Sequence, residues 1–295
     1  MELRVLKYFL AVARDENISR AAEALHVTQP TLSRQLIELE NELGAKLFIR
    51  GNRKLSLTDE GMLLRKRADE IIELVEKTEA QFQAADEIIG GDIYIGCGET
   101  DGMRFVADIM MELQRDYPEV RFHVFSGNAE DVTERLDKGL LDFGILIGAA
   151  DRIKYESLRL PSQDTWGVLM RKDSPLACRS AITPKDLWKV PLITSRQAFT
   201  NNEITGWFRK DITKLSIVAT YNLIFNASLM VEEGMGYALG LDKLINTTGK
   251  SPLCFKPLKP ALKAGLYIVW KKYQVFSRAP AVFLDRLREA LPDGN

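Results

Sequence analysis

Histidine is almost absent from this chain, with two in 295 residues, and the three cysteines stand far apart. His26 and His123 belong to different segments, so no histidine–cysteine cluster has metal-ligand spacing. There is no phosphate-loop signature, no G-x-S-x-G elbow and no dinucleotide fingerprint. No catalytic residue, metal site or cofactor is therefore expected. An odd set of dispersed cysteines (Cys97, Cys178, Cys254) suits reduced thiols better than a disulfide framework. Cys97 also lacks a basic neighbour to lower its pKa, which argues against a redox sensor. No apolar run reaches the ~18–20 residues of a membrane span. Met1-Glu2-Leu3-Arg4 lacks the layout of a signal peptide, from which a cytoplasmic location is expected.

What is present is an ordinary globular composition, 46% hydrophobic, in a chain long enough for two or three compact units. Net charge is −1, but it is unevenly spread. Between Gly44 and Leu57 the ionisable residues are Lys46, Arg50, Arg53 and Lys54, all basic. From Thr58 to Ile88 nine acids face four bases. A basic patch beside an acidic rod implies that one end only approaches a polyanion.

The first sixty residues read as three helices and a hairpin. Leu3 to Asp15 places Leu6, Phe9, Leu10 and Ala13 on one face. Ser19 is positioned to cap a short, alanine-rich helix over Arg20–His26. After a turn at Val27-Thr28, Gln29-Pro30 opens a third helix with Leu32, Leu36, Leu39 and Leu43 as its buried stripe. Pro30, Thr31, Arg34 and Glu38 then point outward, with Ser33 and Gln35 on the flanks. This is a helix-turn-helix pattern, and arginine, serine and threonine are suited to base edges and phosphates. Taken alone, it also fits a solvated amphipathic helix in any bundle. The next segment decides: Lys46–Arg50 and Arg53–Leu57 flank a Gly51-Asn52 turn, a hairpin whose bases would meet phosphates or the minor groove. Together they make a winged helix. Candidate DNA contacts are Thr28, Gln29, Thr31, Ser33, Arg34, Arg50, Arg53 and Lys54.

The run Ala21-Ala22-Glu23-Ala24-Leu25-His26-Val27-Thr28-Gln29-Pro30-Thr31-Leu32-Ser33-Arg34-Gln35 resembles the signature of LysR-type transcriptional regulators. Its continuation through Leu39–Gly44, Leu47–Arg50 and Leu57–Gly61 does so too. The resemblance implies a DNA-binding regulator of promoter DNA, working as a homodimer or homotetramer, and admits RNA polymerase as a contact.

Thr58, followed by Asp59 and Glu60, can open a helix running to about Ile88. Leu64, Ala68, Ile71, Val75, Thr78, Phe82, Ala85 and Ile89 recur at steps of four and three, a seam suited to a second helix. The alternative is a helix lying on its own domain. The resemblance implies dimerisation here, which makes Leu64, Ala68, Ile71, Val75 and Phe82 the candidate contacts.

Beyond Gly90-Gly91, strand and helix patterns alternate: strands at 92–97, 120–126 and 142–147, helices at 102–117 and 129–138. After Pro161 a second set is expected, with strands at 166–171, 192–194 and 216–219, a helix at 222–234, a strand at 265–270 and a helix at 278–291. Such alternation predicts a parallel sheet with helices on both faces. The fold class expected is α/β: a winged helix-turn-helix (1–58), a linker helix (59–89) and a two-lobed effector domain (90–295). The resemblance implies an architecture like periplasmic solute-binding proteins, with lobe I at about 90–161 and 267–295 and lobe II at about 162–266. Ligands of open α/β sheets sit beyond strand carboxyl ends. That position, with the resemblance, makes Thr100, Asn128, Ser195 and Arg196 the candidate effector contacts, although each could instead merely cap a helix. Glu99 and Asp101 form an odd setting for the carboxylate effectors common in the family, whereas Arg196 suits them. Gly234–Asp242 resembles the family's glycine-rich turn without its usual proline. The rival reading is a solute-binding protein or an enzyme of the same α/β architecture.

Overall fold

A computed structural model describes residues 1–50, 55–83, 89–148, 151–196, 202–208 and 212–291, with backbone alone at 50, 80–83, 202 and 203. The chain divides into two compact units, 1–83 and 84–295.

The first unit contains α1 (Leu3–Asp15), α2 (Ile18–Ala24), α3 (Gln29–Leu43), the hairpin β1 (Phe48–Arg50) and β2 (Leu55–Leu57), and α4 (Asp59–Gln83). Its core joins Val5, Leu6, Phe9 and Val12 of α1 to Ala21 and Ala22 of α2 and to Leu32, Leu36 and Leu39 of α3. The small alanines let α2 approach the other two helices closely, as the sequence implies. Two details differ from expectation. The cap of α2 is Asn17, whose side chain accepts from Arg20 N–H at 3.1 Å, so the helix starts two residues before Arg20. Leu43 is exposed, because α3 ends there at Gly44, whose positive φ of 68° turns the chain away.

The start of α4 is clamped to the hairpin. Thr58 Oγ1 donates to the Lys46 carbonyl at 2.7 Å and accepts from Gly61 N–H at 2.9 Å. A side chain at Gly61 has no room: its Cβ would stand 2.2 Å from the Leu47 carbonyl oxygen. Past this clamp α4 lies along α1. Ala68 is fully buried there, with Leu64 and Ile71 half-buried against the same core. For Ala68 the seam expectation is therefore corrected, since zero exposure leaves nothing to offer a second chain. Leu63 and Leu74, about three turns apart on the neighbouring stripe, are exposed instead, with Val75 half-buried beside them. The side chain of Phe82 lies outside the described residues.

Among the described residues the second unit is built on nine hydrogen-bonded strands, eight along one path and one branching off it. The first group is β3 (Gly91–Cys97), β4 (Val120–Ser126) and β5 (Phe143–Ile147), with helices α5 (Met103–Asp116) and α6 (Ala129–Asp137) between them. The second contains α7 (Pro184–Leu187), β7 (Leu192–Ser195), α8 (Asn202–Phe208), β8 (Ile217–Tyr221), α9 (Ile224–Glu232), β9 (Tyr237–Leu241) and β10 (Leu253–Pro257). Joining them are β6 (Tyr155–Arg171) and β11 (Lys263–Lys271), before the closing helix α10 (Arg278–Ala290). Along β4-β3-β5-β11-β6-β9-β7-β8 the pairs β3–β4, β3–β5, β7–β8 and β7–β9 are parallel, while β5–β11, β6–β11 and β6–β9 are antiparallel. The expected parallel sheet is thus a mixed one, because β6 and β11 run between the groups rather than within a βαβ unit.

The expected break at Pro161 is also corrected. β6 passes through it as one 17-residue strand. The register with β11 shifts between Gly265 and Tyr267, opposite this proline, so the ladder bond that proline cannot donate falls at an irregularity. Alternation assigns the faces. Phe143 and Ile145 pack on α5 and α10, while Leu146 and Val269 pack on α6. In the second group Val168 and Leu239 face one cluster, and Leu169, Ile193 and Ala238 face α9 in the other. The glycine-rich stretch is a turn only as far as Gly236; β9 follows between β6 and β7, a strand that glycine content conceals.

Candidate nucleic-acid interface and ligand cleft

In the first unit, Thr28 stands immediately before α3. Its hydroxyl accepts from Thr31 N–H at 3.4 Å and lies 2.8 Å from the Thr31 hydroxyl. Thr28, Gln29, Thr31 and Arg34 are all exposed, while Ser33 is half-buried. His26, with φ of 54°, makes the left-handed turn that sets α3 across α2. The Arg34 guanidinium rests 3.6 Å from the Glu38 carboxylate, an exposed pair that yields readily to a stronger anion. Arg50 ends β1, but its side chain, like Arg53 and Lys54 entirely, lies outside the described residues.

A buried acid behind this face escaped sequence reading. Glu40, 8% exposed, accepts from Leu47 N–H at 2.9 Å and Phe48 N–H at 3.4 Å and pairs with Lys46 Nζ at 2.7 Å. Burial disfavours its charge, yet the Lys46 ammonium and the two amides outweigh that and hold its pKa below the usual carboxylate range. It ties the recognition helix to the hairpin.

In the second unit a cleft of about 590 Å³, open to solvent, lies at the carboxyl ends of the strands. Its floor is Ile145, Leu146 and Ile147 of β5 with Leu241 and Leu244 opposite. Asn128 and Ser195 line it, as their positions suggest. Asn128 also caps α6: its side chain accepts from Asp131 N–H at 3.0 Å, and the Asp131 carboxylate accepts from Asn128 N–H at 3.1 Å. The other two candidates are not brought to the lining. Thr100 is buried, donating its hydroxyl to Asp164 at 2.5 Å and accepting from Gly102 N–H at 3.0 Å. Arg196 has an exposed side chain, and only its backbone N–H, bound to the Tyr221 carbonyl at 2.9 Å, faces the neighbouring strand.

Among the lining residues that sequence reading misses are Glu99, Trp166 and Tyr221. The Glu99 carboxylate accepts from Ile224 N–H at the start of α9, bridging the two groups of strands. Tyr221 donates its phenol to the Leu239 carbonyl at 2.8 Å, and burial together with the Glu99 charge raises its pKa. Trp166 is 7% exposed, and its indole N–H has no hydrogen-bond partner among the described residues. Nearby Asp164, 1% exposed, has its pKa raised by burial and by Asp242 and Asp101, with the Thr100 hydroxyl opposing. Burial, helped by the Asp164 charge, pushes the Cys97 thiol up to about 12, which leaves it protonated and unreactive.

Two family models match the chain. Residues 3–62 match the bacterial regulatory helix-turn-helix protein, lysR family, and residues 89–292 match the LysR substrate binding domain. The HTH-type transcriptional regulator IlvY of Escherichia coli (strain K12) is 31% identical over 248 residues, 81% of each chain. The uncharacterized HTH-type regulator YvbU of Bacillus subtilis (strain 168) is 31% identical over 240 residues, again 81% of each. Among solved structures, full-length CbnR complexed with its target DNA superposes with a TM-score of 0.75 at 20% identity, covering 99% of this chain and 100% of that one. A full-length OxyR variant from Pseudomonas aeruginosa gives 0.56 at 22% identity, covering 98% and 100%.

Proposed function

The chain belongs to the LysR family of bacterial helix-turn-helix regulators, and from that membership we propose how its parts divide the work. It is a DNA-binding transcription regulator with an effector-binding domain, and not an enzyme. In our reading residues 1–58 form the reading head, 59–89 the linker helix, and 90–295 the sensor.

α3 enters the major groove with Thr28, Gln29, Thr31 and Arg34 toward the bases, Ser33 at the flank, and Arg50, Arg53 and Lys54 on phosphates. The observation that carries this is the outward face of α3: four polar side chains exposed together, with the only guanidinium among them held by a single exposed acid. Arg34→Ala should cost ~1–3 kcal/mol of base discrimination, a loss of roughly five- to 150-fold in operator affinity. Gel shift and footprinting of the chain's own promoter region measure it. A mutant that protects the same site with unchanged affinity would mean that another face reads the DNA.

A two-fold operator requires a second copy, and the exposed Leu63 and Leu74 of α4 are the surface we assign to it. Leu74→Asp should shift the full chain toward monomer in analytical ultracentrifugation. An unchanged sedimentation profile removes α4 from the interface. The effector enters the cleft beside Asn128 and Ser195 and favours one arrangement of the sensor, the only way in which binding alters a distant head. No helix among the described residues is long and apolar enough to cross a membrane, and we place the protein in the cytoplasm. Separation of cell extract into membrane and soluble fractions tests that placement; recovery with the membranes would refute it.

A further inference from the structure

The cleft lining carries one ionisable acid, Glu99, and among the described lining residues no lysine, arginine or histidine. A carboxylate ligand would need a donor set such as a helix N-terminus. At α9 that place is taken, since Glu99 itself accepts from its first amide, and at α6 the amides of Asn128 and Asp131 are already bound within the capping box beside the Asp131 carboxylate. No cation is within ion-pair distance of Glu99 among the described residues; Lys243 and Arg104 are both drawn to Asp101, at 3.3 and 2.7 Å. The charge of Glu99 is thus answered by a backbone amide alone. Trp166 also lines the cleft and is more than nine-tenths buried, and its buried indole N–H has no acceptor among the described residues. Buried N–H groups are almost always satisfied, so an orphan donor at a cleft wall points to an acceptor arriving with the ligand. The same lining includes the apolar side chains of Ile145, Ile147, Leu241 and Leu244.

We propose that the cleft admits a small molecule with a protonated amino group on an apolar body and an oxygen acceptor nearby. The ammonium pairs with Glu99, the oxygen accepts from Trp166 Nε1–H, and the body lies on the leucines and isoleucines. A second carboxylate placed beside Glu99 would instead meet a like charge in a partly dehydrated cleft, an arrangement that low dielectric penalises. This assignment rests on the cleft being the effector site.

The test uses the full chain with ¹⁵N-labelled indoles, the Trp166 signal being identified by its loss in Trp166→Phe. The probes are three amino alcohols, valinol, leucinol and phenylalaninol, against carboxylates with the same side-chain bodies. At least one amino alcohol should displace the Trp166 signal in a saturable way. Glu99→Gln keeps an acceptor for Ile224 N–H but removes the charge. It should leave the free spectrum in place and weaken the amine by about tenfold or more, as expected for loss of a charge-assisted contact. Saturable binding by the carboxylates with the amines silent overturns the amine assignment and leaves the effector cleft standing. An amine that binds Glu99→Gln as well as the parent overturns it too. Silence from both sets brings down the cleft as effector site, and the assignment with it.

Discussion

Among the described residues the first unit buries one carboxylate, Glu40, and the second buries two, Asp142 and Asp164; Glu40 and Asp164 have opposite surroundings. Glu40, behind the recognition helix, is enclosed by donors: an ammonium and two backbone amides. Asp164, beside the cleft, has one hydroxyl donor, and its burial and two neighbouring acids outweigh that hydroxyl and the Lys243 ammonium. The head is therefore held by an acid that gains from being charged, while the sensor retains one that would rather be neutral. The difference matches the tasks assigned. A reading head has to present a fixed row of side chains, whereas a sensor that responds to ligand must keep part of its polar network short of full satisfaction.

The largest expected effect lies in the head. Gly61→Ala forces a methyl onto the Leu47 carbonyl and should destabilise the first unit by ~2–3 kcal/mol. In differential scanning calorimetry its transition should fall, while that of residues 84–295 stays in place. If both transitions fall together, the units are not energetically separate and the contrast drawn above loses its basis.

A smaller effect is expected from Thr100→Val. Sequence position suggests an effector contact, but the hydroxyl is consumed by Asp164 and Gly102. Its loss should lower the stability of the sensor by ~1–3 kcal/mol, the cost of leaving a buried group unsatisfied, without touching operator affinity. Unchanged thermal stability would return Thr100 to the list of ligand contacts.

The smallest effects are those of pH, and they should have opposite signs. Glu40, with its pKa lowered in the folded chain, contributes stability above the usual carboxylate range and loses it as pH falls through that range. Asp164, with its pKa raised, costs the fold increasingly as pH rises from the usual carboxylate value through its folded one. Glu40→Gln should accordingly flatten the acid limb of the head's stability curve. Asp164→Asn should raise the sensor's melting temperature at neutral pH and leave it level in acid. Equal acid limbs in parent and Glu40→Gln would mean that the Lys46 and backbone contacts do not favour the charged form.

The same contrast explains what was legible in the sequence. The head's face is nearly contiguous, from Thr28 to Arg34, so helical periodicity alone separates Leu32, Leu36 and Leu39 from the polar side. The cleft draws Glu99, Trp166, Ser195 and Tyr221 from segments far apart in the chain, and no local period marks them. Asn128 and Ser195 were accessible to reasoning because strand ends have a rule; Trp166 was not, because it sits in a strand whose alternation accounts for it as core. Glu99 left a trace as an acid out of place beside Thr100. Its meaning needed α9, whose first amide it reaches across 125 positions of sequence. Ala68 in the seam of α4 was misjudged for a different reason. The seam's period is real, but a period cannot say whether α1 or a second chain fills the groove, and α1 does so at Ala68.

The two strands that join the lobes also set the mechanics of the sensor. β6 and β11 form a ribbon, laddered from Lys263–Thr165 to Lys271–Tyr155, with one irregularity opposite Pro161. A ribbon of this kind resists sliding, because a slip of one residue would turn every side chain to the wrong face. It resists stretching through its covalent backbone. What remains soft is flexion at the irregular point, where the ladder is already interrupted. Work done by a ligand in the cleft we propose as its site would be channelled into rotation about one short axis, as force on a door is channelled by its hinge pin, and a small closure there would become a larger sweep at the far edges.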